Sequence, residues 1–234
     1  DVLAMSFLTF FNSKKNPVVF PDITYSFYPV WARVYGIPYV EIPLLEDFTI
    51  DPHDYMESCI KDSGLPFGGI VIANPNAPTG ISLGLSDIKN ILSANRTCVV
   101  IIDEAYVDFG GESALPLIDE FENLIITRTY SKSRSMAGER IGYAIGSKEL
   151  IQCLNDVAQS VNSYTLTGES LVLGTASLKD DEYFKARIND IIKTRENTVK
   201  ELKKRGFSLT DSSANFVFAK PEGIPAKTLF EKLR

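Results

Sequence analysis

Four short runs constrain what this chain can fold into more than any other feature: Gly69 to Ala73, Cys98 to Asp103, Leu124 to Arg128 and Ile141 to Ile145. They are rich in β-branched residues and show almost no alternation of apolar with polar side chains. A strand of that kind has no face suited to water. The physical solution is a mostly parallel sheet covered by helices on both faces, and the fold class expected is therefore α/β. Pro17 to Phe20 and Tyr39 to Pro43 extend the set of strands, and the segments between most of the runs carry helical periodicity. The apolar stretch Val2 to Phe11 is stopped by Asn12-Ser13-Lys14-Lys15-Asn16 after about ten residues, too short to span a bilayer, so it reads as a buried helix.

Beyond Ile145 the pattern becomes helical only. Ser147 to Gln159, Thr167 to Leu178 and a charged stretch from Asp181 to Arg205 are expected as helices, the last closed by Gly206. Phe207 to Thr210 and Asn215 to Ala219 read as two further strands, followed by a helix opened by Pro225. The organisation expected is a large domain over residues 1–178, a connecting helix over 179–206, and the beginning of a smaller α+β domain over 207–234. Leu229 to Arg234 is a helical pattern with no stop signal behind it and Asp1 is not preceded by a methionine, so both ends read as cut.

Charge and rare residues narrow the function. Lys plus Arg number 24 against 30 Asp plus Glu, a net charge of −6, which argues against a broad phosphate-binding face for nucleic acid. Cys59, Cys98 and Cys153 form no C-x-x-C pair, so neither a zinc site nor a disulfide framework is expected, and a reducing cytoplasm fits. His53 is the only histidine, and Asp51-Pro52-His53-Asp54 reads as a surface helix start. No G-x-G-x-x-G or G-x-x-x-x-G-K-[ST] loop points to a nucleotide.

Ligands of open parallel sheets bind beyond the carboxyl ends of the strands. Four polar segments lie there: Asn74-Pro75-Asn76-Ala77-Pro78-Thr79-Gly80, Asp103-Glu104-Ala105-Tyr106, Thr129-Tyr130-Ser131-Lys132-Ser133, and Arg140 just before the last run. Taken singly, each has a plain reading as a turn, a cap or a solvated loop. Together they supply a lysine for a carbonyl, a carboxylate for a ring nitrogen, a phenol, and hydroxyls with an arginine for a phosphate.

This ordered set resembles the fold-type I aminotransferases, which use pyridoxal 5′-phosphate (PLP), and the resemblance extends to Thr24-Tyr25-Ser26-Phe27-Tyr28-Pro29 and Asn215-Phe216-Val217. It implies that Lys132 bonds the cofactor covalently and later moves a proton at the substrate α-carbon, a task suited to a buried, partly desolvated amine. It implies that Asp103 pairs with the ring nitrogen, that Tyr106 hydrogen-bonds the ring oxygen, that Tyr25 stacks on the ring, and that Thr129, Ser131 and Arg140 hold the phosphate. The expected reaction moves an amino group between histidinol phosphate and 2-oxoglutarate in a cytoplasmic homodimer. The alternatives are another phosphate-bearing or aromatic amino acid, threonine-phosphate decarboxylation, or an inactive homologue.

Two departures from the family pattern stand out. The commoner loop carries asparagine where Ala77 stands, so Asn74 or Asn76 is expected to turn inward in its place, and Asn76 enters the candidate set. The chain also begins where the family's glycine-rich phosphate loop is ending and stops before its C-terminal, carboxylate-gripping arginine. Tyr25, Phe27, Tyr28 and Trp31 otherwise form an aromatic stripe of the kind found in cores, and Arg187, Lys193 and Arg195 read as a solvated helix face.

Overall fold

The computed structural model describes residues 1–56, 60–61 and 64–234; Cys59 lies outside the described residues. Six strands form the main sheet: β1 (Val18–Pro21), β2 (Tyr39–Ile42), β3 (Gly69–Ala73), β4 (Val100–Asp103), β5 (Leu124–Thr129) and β6 (Gly142–Gly146). Their spatial order is β2-β1-β3-β4-β5-β6. The first five are parallel, and β6 runs antiparallel to β5 with Thr129 opposite Gly142 and Ile125 opposite Gly146. The expectation of an α/β fold with a mostly parallel sheet holds.

Successive residues of a strand point to opposite faces, and the central strands use both faces for the core. Ile70, Ile72, Val100, Ile102, Leu124 and Ile126 pack on one side with Ile88, Ile91 and Leu92 of helix α4 (Leu85–Ala94). Val71, Ala73, Ile101 and Ile125 pack on the other side with Phe7 of α1 (Val2–Phe10) and with Tyr28 and Ala32 of α2 (Tyr28–Tyr35). Each fully buried Ile or Val side chain contributes about 1.5–3 kcal/mol, so these layers dominate the stability of the sheet. The short α3 (His53–Met56) packs on α4, while His53 itself is exposed beside Asp51. The strand Ile141 to Ile145 was expected to be covered on both faces. As β6 it is a half-exposed edge strand, because its only neighbour among the described residues is β5 and one of its faces borders an open cleft.

Helix α5 (Lys148–Val161) packs against α1. Helix α6 (Gly168–Lys179) buries only its small residues Ser170 and Gly174, leaving Leu171, Val172, Leu173 and Leu178 exposed. Helix α7 (Asp181–Lys204) runs 24 residues, about 36 Å at 1.5 Å per residue, and the chain leaves it through Gly206 at φ 77°. A separate two-stranded sheet follows, β7 (Phe207–Leu209) with β8 (Ala219–Pro221), and then α8 (Ala226–Leu233). The strand expected at Asn215 to Ala219 therefore begins four residues later. Residues 211–218 instead form a strap: Ser213 N donates to Gly80 O at 2.8 Å, and Thr210 Oγ1 donates to Thr79 O at 2.5 Å. Docking on the 76–80 loop has taken the place of strand pairing. Gly80 permits that approach, since a Cβ there would lie 2.4 Å from Ser212 Oγ and its φ of 76° is left-handed.

Candidate active site

The carboxyl ends of β3, β4 and β5 open onto a cleft of about 820 Å³, a volume ordinary for a small-molecule site. The antiparallel course of β6 carries its N-terminal end to the same rim, and that topology brings Arg140 beside Thr129, Ser131 and Lys132. Asp103, Tyr106 and Tyr25 complete the lining, with Ala77 at one wall. Seven of the eight residues singled out from the sequence thus face one cavity.

Asp103 forms the floor and is 6% exposed. Three donors meet its carboxylate: Tyr28 Oη at 2.8 Å, Thr127 Oγ1 at 3.2 Å and the Ala105 backbone amide. Burial pushes its pKa up, and these donors, favouring the charged form, oppose the rise. Tyr28, fully buried, is pushed well above the ordinary phenol range by desolvation and by the neighbouring carboxylate. Its sequence reading as an aromatic core residue captured its packing and missed its hydroxyl. Periodicity carries no signal for such a bond, since donor and acceptor lie 75 residues apart.

Lys132 differs from expectation: it is exposed. It sits in a turn at the rim, where Ser135 N donates to Lys132 O at 3.1 Å, and a turn beyond the sheet end cannot be buried by the sheet's own helices. Its Nζ makes no hydrogen bond or ion pair among the described residues and lies 5.3 Å from the centre of the Tyr106 ring. The turn is fixed by the two residues that follow the lysine. Ser133 Oγ donates to Asp108 Oδ2 at 2.5 Å. Arg134 donates to Ser177 O at 2.6 Å and stacks over Phe184 at 4.1 Å, tying the turn to α6 and α7.

On the same rim Thr129 Oγ1 accepts from Ser131 N at 3.1 Å, and Arg140, exposed and at φ 55°, donates to Ala137 O at 2.9 Å. Tyr25 is 40% exposed, stacked on Phe27 and edge-on to Tyr28 and Trp31. Its phenol is pushed up by partial burial and by Asp103.

The Asn-Pro loop is spent on itself. The Asn74 side chain exchanges two bonds with the Leu83 backbone, at 3.1 and 2.8 Å. Asn76 accepts from Thr24 Oγ1 at 2.7 Å and donates to Ile23 O and Thr79 Oγ1. Neither amide turns into the cleft, and Asn76 is not among its lining residues; Ala77 is. Beneath the cleft, Glu104 accepts from Arg128 Nε at 2.9 Å, from Ser113 Oγ and from Ala114 N, with Arg128 Nη2 at 2.7 Å. This pair, fully buried at its glutamate end, holds the segment after β4 to β5.

The sequence profile of class I and II aminotransferases matches residues 2–234. This chain belongs to that family. The aminotransferase chain is 50% identical over 233 residues to the histidinol-phosphate aminotransferase of Lactococcus lactis subsp. cremoris (strain MG1363), covering 100% of this chain and 63% of the relative. It therefore spans under two thirds of that relative's length. The crystal structure of histidinol-phosphate aminotransferase from Clostridium acetobutylicum superposes with a TM-score of 0.86 at 26% identity, covering 98% of this chain and 69% of the other. The enzyme from Sinorhizobium meliloti, solved in complex with pyridoxal 5′-phosphate, superposes with a TM-score of 0.83 at 23% identity over 94% of this chain and 59% of the other, a likeness of fold.

The cleft of this aminotransferase chain has the donor set that a pyridine phosphate needs. A buried carboxylate stands at its floor, and an arginine and two hydroxyls stand at its rim beside a lysine amine that has no competing hydrogen bond among the described residues.

Proposed function

We propose that the chain is the cofactor-binding part of a PLP-dependent aminotransferase that moves an amino group between histidinol phosphate and 2-oxoglutarate, in histidine biosynthesis. The observation that carries this reading is the identity with the Lactococcus enzyme across the whole chain. On this reading residues 1–178 are the large domain, 179–206 the connecting helix and 207–234 the start of the small domain.

When bound, PLP supplies an electron sink for a carbanion at the substrate α-carbon. The chain's own residues do the rest. Lys132 Nζ holds the cofactor and, once freed, carries the proton to and from the α-carbon. Its place at the cleft mouth keeps it within reach of an incoming substrate. Asp103, charged with the help of Tyr28 and Thr127, keeps a proton on the ring nitrogen. Tyr106 donates toward the ring oxygen, Tyr25 covers a ring face, and Thr129, Ser131 and Arg140 grip the phosphate. Asn76 serves by holding the Ala77 loop against Thr24.

The exposed apolar residues of α6 support a homodimer as the working form, and the unpaired Cys98 and Cys153 support a cytoplasmic setting. No helix among the described residues is long and apolar enough to cross a membrane.

The test is PLP labelling. Incubation with PLP, borohydride reduction and peptide mass mapping should place one phosphopyridoxyl group on Lys132, and Lys132→Ala should lose it. A label at wild-type occupancy in the variant would overturn the assignment. The full-length protein should convert histidinol phosphate with 2-oxoglutarate as acceptor faster than other phosphate-bearing amino acids, and the reverse preference would replace the substrate.

A further inference from the structure

Arg195 was expected on a solvated face of the long helix, and the structure removes it from there. The neighbouring candidates do behave as solvated groups: Arg187 pairs with Asp190 in the open, and Lys193 is exposed. Arg195 is half-buried, and its Nη1 donates to two backbone carbonyls, Phe109 O at 2.8 Å and Ala214 O at 2.6 Å. These carbonyls belong to segments that flank one side chain. Phe109 ends the short helical turn 107–109 that begins at the residue after Tyr106. Ala214 lies in the 211–218 strap, two residues before Phe216, whose ring meets the Tyr106 ring edge to face at 5.0 Å.

We propose that Arg195 is a positioning residue for Tyr106: by clamping the strap to the turn after β4, it fixes where the Tyr106 ring stands in the cleft. The role given to the phenol rests on the PLP reading above, whereas the clamp does not. A guanidinium suits the task, because Nη1 carries two N–H bonds that can serve two acceptors at once, held in a fixed plane. Buried carbonyls left without that donor would draw water into the seam between strap and turn. The strap's other anchors lie away from the turn after β4: the backbone bond from Ser213 to Gly80, the neighbouring bond from Thr210 to Thr79, and the edge-to-face contact of Phe218 with Phe48 at 5.1 Å. Through this seam, movement of the segments beyond α7 reaches Tyr106 directly, and Tyr106 lies against Lys132.

The experiment follows the tyrosine ring signals of the chain labelled with 13C-tyrosine, without PLP, and assigns Tyr106 by its loss in Tyr106→Phe. Phe216 sits edge-on to that ring, so Tyr106 carries a ring-current shift that disappears when the two part. In Arg195→Met the Tyr106 signal should move by more than a linewidth while the signals of Tyr28 and Tyr39 stay in place. Arg195→Lys, which retains a cationic donor but not the planar guanidinium, should move it a shorter way in the same direction. A Tyr106 signal unchanged in folded Arg195→Met would overturn the proposal. Should that variant not fold, an unchanged signal in Arg195→Lys would overturn it equally. With PLP added, Arg195→Met should still be labelled on Lys132 but weaken PLP binding about three- to tenfold, as should Tyr106→Phe, and the double variant should be no weaker than the worse single one. Additive losses would reduce Arg195 to a purely structural part. Wild-type chain that takes up no PLP would remove the cofactor reading, and the ring signal would still decide the clamp.

Discussion

Tyr28 and Asp103 are joined by a fully buried hydrogen bond, phenol Oη to carboxylate Oδ2 at 2.8 Å, across the seam between α2 and the end of β4. A carboxylate taken out of water is expensive unless donors replace the solvent, and Tyr28, Thr127 and the Ala105 amide are those donors. The cleft floor is thus a charge held in place by a residue that the aromatic packing of α2 positions.

Removing that phenol should be costly at neutral pH and less so in acid. Tyr28→Phe deletes a hydrogen bond to a charged group, worth about 1.5–3 kcal/mol. The Asp103 pKa is already raised in the folded chain, so folding takes up a proton and stability falls as pH rises through that folded value. Without Tyr28 the folded value rises further, and the fall is larger. The gap between wild type and variant should therefore narrow as pH drops below the two folded values. Urea unfolding at a series of pH values measures it; a gap independent of pH would mean that Tyr28 does not stabilise the charged form.

Ala77 faces the cleft while Asn74 and Asn76 are engaged elsewhere, so no asparagine of this loop reaches the ligand space. Ala77→Asn should add a donor near the ring oxygen of bound PLP. A donor favours the charged form of that oxygen, and the pH midpoint of the visible band should drop by up to about one unit, the worth of one ordinary hydrogen bond. Superimposable titrations would show that the loop faces away from the ring.

Glu104 carries the buried end of an ion pair whose other end, Arg128, keeps partial contact with solvent. Glu104→Gln should cost about 2–4 kcal/mol, because the guanidinium loses its counter-charge in a poorly solvated place while retaining some screening. Thermal unfolding of the variant checks this. Loss of less than about 0.5 kcal/mol would mean that water compensates the arginine.

The apolar face of α6 gives a test of assembly. Val172 is 70% exposed, and Val172→Glu cannot disturb the core of this chain. If α6 lies in a dimer interface, the substitution should lower the dimer fraction of the full-length protein in sedimentation measurements without changing its circular dichroism. An unaltered dimer would put the interface on another face.

The sequence by itself determined the layered α/β architecture, because unbroken apolar runs such as Ile70 to Ala73 and Val100 to Ile102 leave no arrangement other than burial on both faces. It also marked most of the cleft, since Asp103, Tyr106, Thr129, Lys132 and Arg140 stand at strand ends, and strand ends are local events. Tertiary structure decided everything that depends on a partner distant in sequence. That β6 turns back beside β5 put Arg140 on the same rim as Thr129. That α2 packs under β4 gave Asp103 its phenol, and that the strap after β7 settles on the 76–80 loop replaced a strand with a clamp held by Arg195. The spacing of residues along the chain sets which face of a helix or strand each occupies. Which donor meets which acceptor across 75 or 86 residues is set only when those faces pack.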